Sequence, residues 1–409
     1  MKYTFKDICT KIGSGATPTG GKEAYKGGDY ALVRSQNVLD YTFTTSGLAY
    51  INETQAKKLD GVKVESGDVL LNITGDSVAR ACIIPDEILP ARVNQHVAII
   101  RANNQYALNE YLLYFLQYNK QYLLSISQGG GTRSAITKKM IEDIEIDLPS
   151  IEDQLAIVNI INTISKKIEV NQQINDNLEQ QAKALYKSWF VDFEPFKEGK
   201  FIESELGVVP EGWSIGKIED LTTRMASGGT PKSMNPDFYS GDICWFTTKE
   251  LTDGFLIDSE KHISQSAIEN SAAKVFPKGS VLMAIYAAPT VGRLGILSCD
   301  AAFNQAAVAL IPKTGIGPGY IYLTLYNERN NFNNLSSGAA QQNLNVGLVR
   351  NYPTCIPPQD VLADFENKIL PIFNNIERNQ IEISNLTTLR DTLLPKLMSG
   401  ELKINEIDC

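Results

Sequence analysis

Two polar sets stand out among otherwise apolar runs. The first comprises Lys22, Arg34, Gln36, Asn37, Arg80, Arg92, Asn94, Gln95, Gln128, Thr132 and Arg133. The second comprises Lys232, Thr247, Thr248, Lys249, Tyr286, Arg293, Asn304, Gln305, Gln341, Gln342 and Asn343. Arg and Lys bond guanine edges, and Asn and Gln bond adenine edges. Thr, Ser and Gly in loops suit phosphate oxygens. A structural hydrogen bond is the simpler role for any single member. As a set placed in loops, they favour recognition over catalysis.

The residues that would support catalysis are missing or badly spaced. His96 and His262 are the only histidines, and they fall at non-equivalent places. Each reads as a surface or polar-network residue. Gly13-Ser14-Gly15-Ala16-Thr17-Pro18 carries Pro where a dinucleotide fingerprint needs Gly. Gly129-Gly130-Gly131-Thr132-Arg133 lacks the Gly-Lys-Ser/Thr of a phosphate loop. There is no Gly-x-Ser-x-Gly elbow and no His-Glu-x-x-His. The six cysteines form no Cys-x-x-Cys and suggest neither a zinc site nor a disulfide framework. No metal and no catalytic residue is expected in this chain.

What must position these sets is a tandem repeat. Ser14-Gly15-Ala16-Thr17-Pro18 returns as Ser227-Gly228-Gly229-Thr230-Pro231, and Gly28-Asp29 as Gly241-Asp242. Ser66-Gly67-Asp68-Val69-Leu70 returns as Lys278-Gly279-Ser280-Val281-Leu282, Ser77-Val78-Ala79-Arg80 as Thr290-Val291-Gly292-Arg293, and Asn94-Gln95 as Asn304-Gln305. Leu148-Pro149 returns as Ile356-Pro357. Order is kept while the offset drifts from 213 to 208 residues, far beyond solenoid periods. Tyr30–Arg34, Val69–Thr74, Ala81–Ile84, Val97–Arg101 and Ile141–Leu148 read as strands, and Asn109–Leu124 as a helix, so each globular region is mixed α+β material.

Each repeat ends in a long helix-compatible stretch. Residues 152–194 contain neither Gly nor Pro, and Pro195 stops them. Ile161, Ile164, Ile168, Asn171, Asn175, Leu178, Ala182, Leu185 and Trp189 step by three and four, a coiled-coil seam with a polar break. Such a helix is roughly 60 Å long and needs a partner to bury its seam. Residues 360–399 repeat the pattern with Phe365, Ile369, Ile372, Ile376, Asn379, Ile383, Leu386, Arg390, Leu393 and Leu397. Pro371 should kink or split this second helix. The resulting boundaries are a globular region 1–149, a central helix 150–195, a linker 196–212, a second globular region 213–357, a C-terminal helix 358–402 and a tail 403–409.

The net charge is −9. Residues 1–150 hold 16 basic and 16 acidic side chains, and six of the nine excess negative charges lie in residues 151–200 and 359–409. The globular regions are near neutral, which permits nucleic-acid contact but predicts weak binding by the chain alone. No apolar run reaches membrane-spanning length, and the amino terminus lacks a signal-peptide core. A cytoplasmic, reduced protein is expected.

The layout resembles the specificity (S) subunits of type I restriction–modification systems. Ser227–Pro231, Gly241-Asp242-Ile243-Cys244-Trp245, Ser337-Gly338-Ala339-Ala340-Gln341-Gln342-Asn343-Leu344 and Ile356-Pro357-Pro358 carry the resemblance. So do Leu206-Gly207-Val208-Val209-Pro210-Glu211-Gly212-Trp213 and the ending Leu393-Leu394-Pro395-Lys396-Leu397-Met398-Ser399-Gly400-Glu401-Leu402. The resemblance implies two target recognition domains, each reading one half of a bipartite sequence in double-stranded DNA. It implies an antiparallel coiled coil that fixes the spacer and docks two adenine methyltransferase (M) subunits, with S-adenosylmethionine bound on them. Restriction (R) subunits would join that core, and the S chain itself would be non-catalytic. The first repeat departs from the family pattern, since it lacks the Pro-Glu-Gly-Trp approach and reads Gly129–Arg133 where the second has small residues and Gln. The competing readings are a stand-alone DNA-targeting enzyme and a coiled-coil scaffold that binds no DNA.

Overall fold

The computed structural model describes residues 2–18, 25, 27–128, 134–286, 290–337 and 343–403, with side chains omitted at 336 and 337. By packing, the chain divides into two compact units, residues 1–168 with 385–409, and residues 169–384. Each long helix therefore contributes residues to both units.

In the first unit a four-stranded antiparallel sheet runs in the order Cys9–Ser14, Val97–Ala102, Val69–Asn72, Ala81–Ile83. Both of its faces are covered, and the residues sort between them with the period of two that a strand imposes. Val69, Leu71, Ala98 and Ile100 join one core with the helix Asn109–Tyr118, while Leu70, Val97 and Ile99 join another beneath a second sheet. Strands buried on both faces read as uninterrupted apolar runs. The second sheet runs Ala49–Ile51, Tyr30–Val33, Ala91–Val93, Lys63–Val64, with its two middle strands parallel. Lys2–Thr4 pairs with Glu145–Asp147 and closes the unit's sequence ends on one another.

The second unit has the same plan. Thr222–Ser227, Ala307–Pro312, Val281–Ala284 and Leu294–Leu297 follow one another in a sheet, and Gly254–Leu256 adds a fifth strand parallel to Leu294–Leu297. Val281, Met283, Val308 and Leu310 face one core; Leu282, Ala284, Ala307 and Ala309 face the other. His262–Ile263, Ile243–Phe246 and Ala302–Phe303 form the second sheet. Ser214–Lys217 pairs with Pro353–Ile356. The two halves thus share strand order as well as sequence marks.

The central helix spans Ile151–Phe190, and the C-terminal helix spans Gln359–Ser399. The first ends four residues before the expected limit, since Phe193 adopts a left-handed conformation at φ 53°. The expected linker is not unstructured: Phe201–Ser204 pairs with Gly207–Pro210 as a hairpin. Trp213 beyond it packs on Phe190, Phe193 and Phe196 with ring centroids 5.8, 5.3 and 5.2 Å apart. Pro371 does not split the second helix. Its side chain is exposed, so the missing backbone bond is on the outer face, while Ile369 and Phe373 stay buried.

The seam is followed along Ile161, Ile164, Ile168, Asn171, Asn175 and Ala182, all buried. Towards the helix end it drifts, as 3.6 residues per turn requires. Tyr186 takes the buried position; Leu178, Leu185 and Trp189 are half-buried. The partner helix behaves alike. Ile369, Ile376, Asn379 and Leu397 are buried, but Phe373 replaces Ile372 and Leu394 replaces Leu393, and Leu386 is half-buried.

Within the second unit the helices run antiparallel. Asn379 Nδ2 donates to Asn175 Oδ1 at 2.9 Å, and Asn171 Nδ2 donates to Glu382 Oε2 at 2.8 Å. Within the first unit, Ile157 and Ile161 share a core with Leu394 and Leu397. A single Asn379→Leu strands the buried Asn175 oxygen and is expected to cost about 1–3 kcal/mol in thermal unfolding. The double change Asn175→Leu with Asn379→Leu should recover most of that loss, because an apolar pair needs no donor. A double variant no more stable than the single one would show that the lost hydrogen bond is not the cause.

Candidate nucleic-acid interface

The repeated sequence marks meet one another at one end of each main sheet. In the first unit Asn72 lies opposite Val97, and its N–H donates to the Arg80 carbonyl at 2.8 Å. The loop 73–80, the turn 94–96 and the segment Gly15–Pro18 therefore arrive together. Gly15 N–H donates to the Asn94 carbonyl at 3.1 Å. Thr17 Oγ1 donates to Gln95 Oε1 at 2.5 Å. Gln95 Nε2 lies 3.0 Å from His96 Nε2, and His96 Nδ1 lies 2.6 Å from Thr74 Oγ1. Once Gln95 donates, His96 Nε2 accepts and Nδ1 carries the ring proton. The four side chains form one hydrogen-bonded chain across three loops.

The flanks of residues 129–133 are fixed at the same end. Gly75 N–H donates to the Ser134 carbonyl at 3.2 Å, and Ile136 N–H to the Ile73 carbonyl at 2.8 Å. In the second unit Thr230 Oγ1 donates to Gln305 Oε1. The Ala284 N–H donates to the Arg293 carbonyl at 2.9 Å, and Leu344 N–H to the Ile285 carbonyl at 2.8 Å. Trp245 Nε1 donates to the Gly229 carbonyl at 3.0 Å. Each half thus presents the same scaffold: a Gly-Thr-Pro segment locked to an Asn-Gln turn, a loop ending in Arg, and an anchored downstream stretch.

Against this scaffold the expected contact residues separate into two kinds. Asn37 is fully buried and donates to the Thr44 and Ser46 carbonyls at 3.0 and 3.2 Å. Arg92 is 4 % exposed and is held by Asp60 at 2.6 Å and the Ala56 carbonyl at 3.2 Å. Asn94 and Asn304 accept from the N–H of His96 and Ala306 within their own turns. Thr247 donates to Glu250 at 2.8 Å. Arg34 is bound to the Gly47 carbonyl, and exposed Gln36 donates to the same oxygen at 3.1 Å. Asn37, Arg92 and Asn94 are therefore buried parts of the fold, while Asn304 and Thr247 are half-buried and each has an internal partner. Gln95 and Gln305 each spend an amide oxygen on the lock yet remain exposed.

Arg80 and Arg293 are half-buried, Lys232 and Lys249 exposed, and their side chains have no ion pair or hydrogen bond among the described residues. Tyr286 is 39 % exposed beside the Leu344 anchor. Asn343 is half-buried. Lys22, Thr132, Arg133, Gln341 and Gln342 lie outside the described residues. Unpaired cations beside a rigid polar end suit phosphate and base contact. Thr17, Thr74 and Thr230 were missed as site-forming residues, while His96 takes the polar-network place expected of it. The signal was available for Thr17 and Thr230, whose Gly-x-Thr-Pro setting recurs in both halves.

Comparison with known proteins gives the same reading. The family model for the type I restriction modification DNA specificity domain matches twice, at residues 1–180 and 210–391. The type I restriction enzyme MjaIX specificity subunit of Methanocaldococcus jannaschii is 28 % identical, over 98 % of this chain and 93 % of its own. The HindI specificity subunit of Haemophilus influenzae is 26 % identical, over 91 % and 94 %. The crystal structure of the S subunit from M. genitalium superposes with a TM-score of 0.61 at 13 % identity, covering 97 % of this chain and 95 % of that one, and so has the same fold. With both halves matched separately and the scaffold repeated in each, the chain belongs to the type I restriction–modification DNA specificity family.

Proposed function

We propose that this chain is the non-catalytic specificity subunit of a type I methyltransferase and endonuclease complex. Each globular half reads one half of a bipartite site in double-stranded DNA. The paired helices set the spacer between the halves and dock two adenine methyltransferase subunits, which carry the S-adenosylmethionine. Restriction subunits join that core. The complex works in the cytoplasm; among the described residues no helix is long and apolar enough to cross a membrane.

The observation that carries this reading is the duplicated scaffold with unlike exposed side chains. The Thr–Gln lock is the same at Thr17–Gln95 and Thr230–Gln305. Between the locks and the loop anchors, the two halves differ: Arg34 and Gln36 stand in one, Lys249 and Tyr286 in the other. Two readers of the same build and different surface suit two different half-sites.

The net charge of −9 sets the partner requirement. Phosphate contacts dominate DNA affinity, and a net-negative chain is poorly suited to supply them alone. The purified chain alone is expected to show no sequence preference at physiological salt. Co-purified with its methyltransferase, it should methylate adenine at one bipartite sequence, read by methylome sequencing. Tight, specific binding by the chain alone would overturn the partner requirement, and methylation without a bipartite pattern would overturn the two-reader assignment.

A further inference from the structure

The second unit brings together residues that no local motif announces. Cys244 lies directly opposite His262 in the antiparallel ladder Ile243–Phe246 with His262–Ile263. Asp258 reaches the same point from the preceding turn. His262 Nε2 lies 2.9 Å from Asp258 Oδ1, Cys244 Sγ lies 3.6 Å from His262 Nε2, and Cys244 Sγ lies 3.7 Å from Asp258 Oδ1. These atoms could hold a metal ion. A zinc ion bonds sulfur at about 2.3 Å and nitrogen or oxygen at about 2.0 Å with tetrahedral angles. That geometry separates sulfur from nitrogen or oxygen by about 3.5 Å, and nitrogen from oxygen by about 3.3 Å. The three side chains therefore match three corners of a tetrahedron with shifts of a few tenths of an ångström.

Cys299 packs on the same small core as Cys244 but is not one of this trio of donors. A thiolate, an imidazole and a carboxylate are a donor set for zinc rather than for calcium or magnesium, which take oxygen.

We propose that Cys244, Asp258 and His262 form a three-donor zinc site in the second recognition half, with the fourth position left to solvent. Zinc enters by displacing the Cys244 thiol proton to solvent, so its affinity falls as pH falls. The site belongs to one half alone. At the matching register of the first unit, Ala31 stands opposite Tyr50. Its place in the fold gives it a consequence. Trp245 follows Cys244 in the strand, and its indole bonds the Gly229 carbonyl of the Gly-Gly-Thr-Pro segment. Its backbone N–H bonds Ser259 Oγ at 3.0 Å, next to Asp258. A bound ion ties the 258–262 turn to the strand that backs this loop.

The test uses the full chain, reduced and stripped by chelator, titrated with cobalt as the probe and zinc as the competitor. One cobalt per chain should bind with a thiolate charge-transfer band and the visible bands of a tetrahedral site, and zinc should displace it. Cys244→Ser should remove the thiolate contribution, and Cys355→Ser should leave it. Asp258→Asn keeps the size of an exposed side chain, and it should lose the rise in thermal stability that zinc gives the parent chain. An octahedral spectrum without thiolate bands, or bands that survive Cys244→Ser, would overturn the proposal. None of these readouts depends on DNA recognition, so the metal site and the DNA-reading function fail separately.

Discussion

Gly15→Val is expected to abolish specific methylation by the assembled complex, and Gly228→Val to do the same through the other half. A Cβ at Gly15 would lie 1.7 Å from the Val93 carbonyl oxygen and 2.6 Å from its carbon. A Cβ at Gly228 would lie 2.1 Å from the Phe303 oxygen and 2.7 Å from the Asn304 oxygen. Both obstacles are backbone in a core ladder, and neither moves without opening the sheet end. Opening it breaks the Gly15 to Asn94 bond and pulls Thr17 from Gln95, or Thr230 from Gln305. A loss of roughly 4 kcal/mol or more is expected, which belongs to the rare, severe class of substitutions. That is a large share of the roughly 5–15 kcal/mol that holds a domain folded. Gly61→Ala is the control, because nothing lies within 4 Å of its added Cβ. Thermal unfolding and methylation assays read both effects. Gly15→Val protein of parent stability and activity would show that this close approach is not what holds the reading loops.

The same contact explains why so much of the architecture was legible from residues alone. Glycine and Thr-Pro recur because they meet a backbone turn marked by Asn-Gln some eighty residues later, so one physical contact left two sequence marks in each half. The central strands were visible because burial on both faces makes them apolar throughout. The long helices were visible from their three-four stepping. The rest depended on tertiary contact. Asn109–Leu124 breaks into Asn109–Tyr118 and Lys120–Ser127 at Asn119. Ile141–Leu148 is half helix, because Thr137 caps Lys138–Glu142 before the strand Glu145–Asp147 begins. Pro371 could be read as a breaker because exposure cannot be seen in a sequence. Arg92 and Asn37 looked like base readers because residue type does not tell whether a side chain faces solvent or Asp60 and the Thr44 carbonyl. Cys244, Asp258 and His262 escaped notice because sheet pairing, and not chain spacing, assembles them.

Exchange of residues 214–356 for the matching segment of another family member should replace one half-site and leave the other, with its spacer, unchanged. Both cut points fall in one ladder: Ser214 pairs with Ile356 and Lys217 with Pro353. The segment thus begins and ends side by side, the condition under which a domain is inserted without straining its host. Lys2–Thr4 and Glu145–Asp147 close the first unit in the same way. The cut must follow Trp213, because its ring is packed on Phe190, Phe193 and Phe196 and belongs to the host helix end. The incoming segment must also keep the contacts that seat it on the helices within the second unit. Tyr186 donates from its hydroxyl to Thr324 Oγ1 at 3.1 Å, and Phe255 N–H donates to Gln380 Oε1 at 2.9 Å. A donor that places a bulky apolar residue at 324 should fail by leaving the buried Tyr186 hydroxyl unpaired, at a cost of about 1–3 kcal/mol. With those contacts preserved, no residue of the first unit changes, and neither does either helix. Methylome sequencing of the chimaera with its methyltransferase partner gives the result directly. A change in both half-sites, or a chimaera that is folded and active on the parent sequence, would mean that the bases are read by residues outside 214–356.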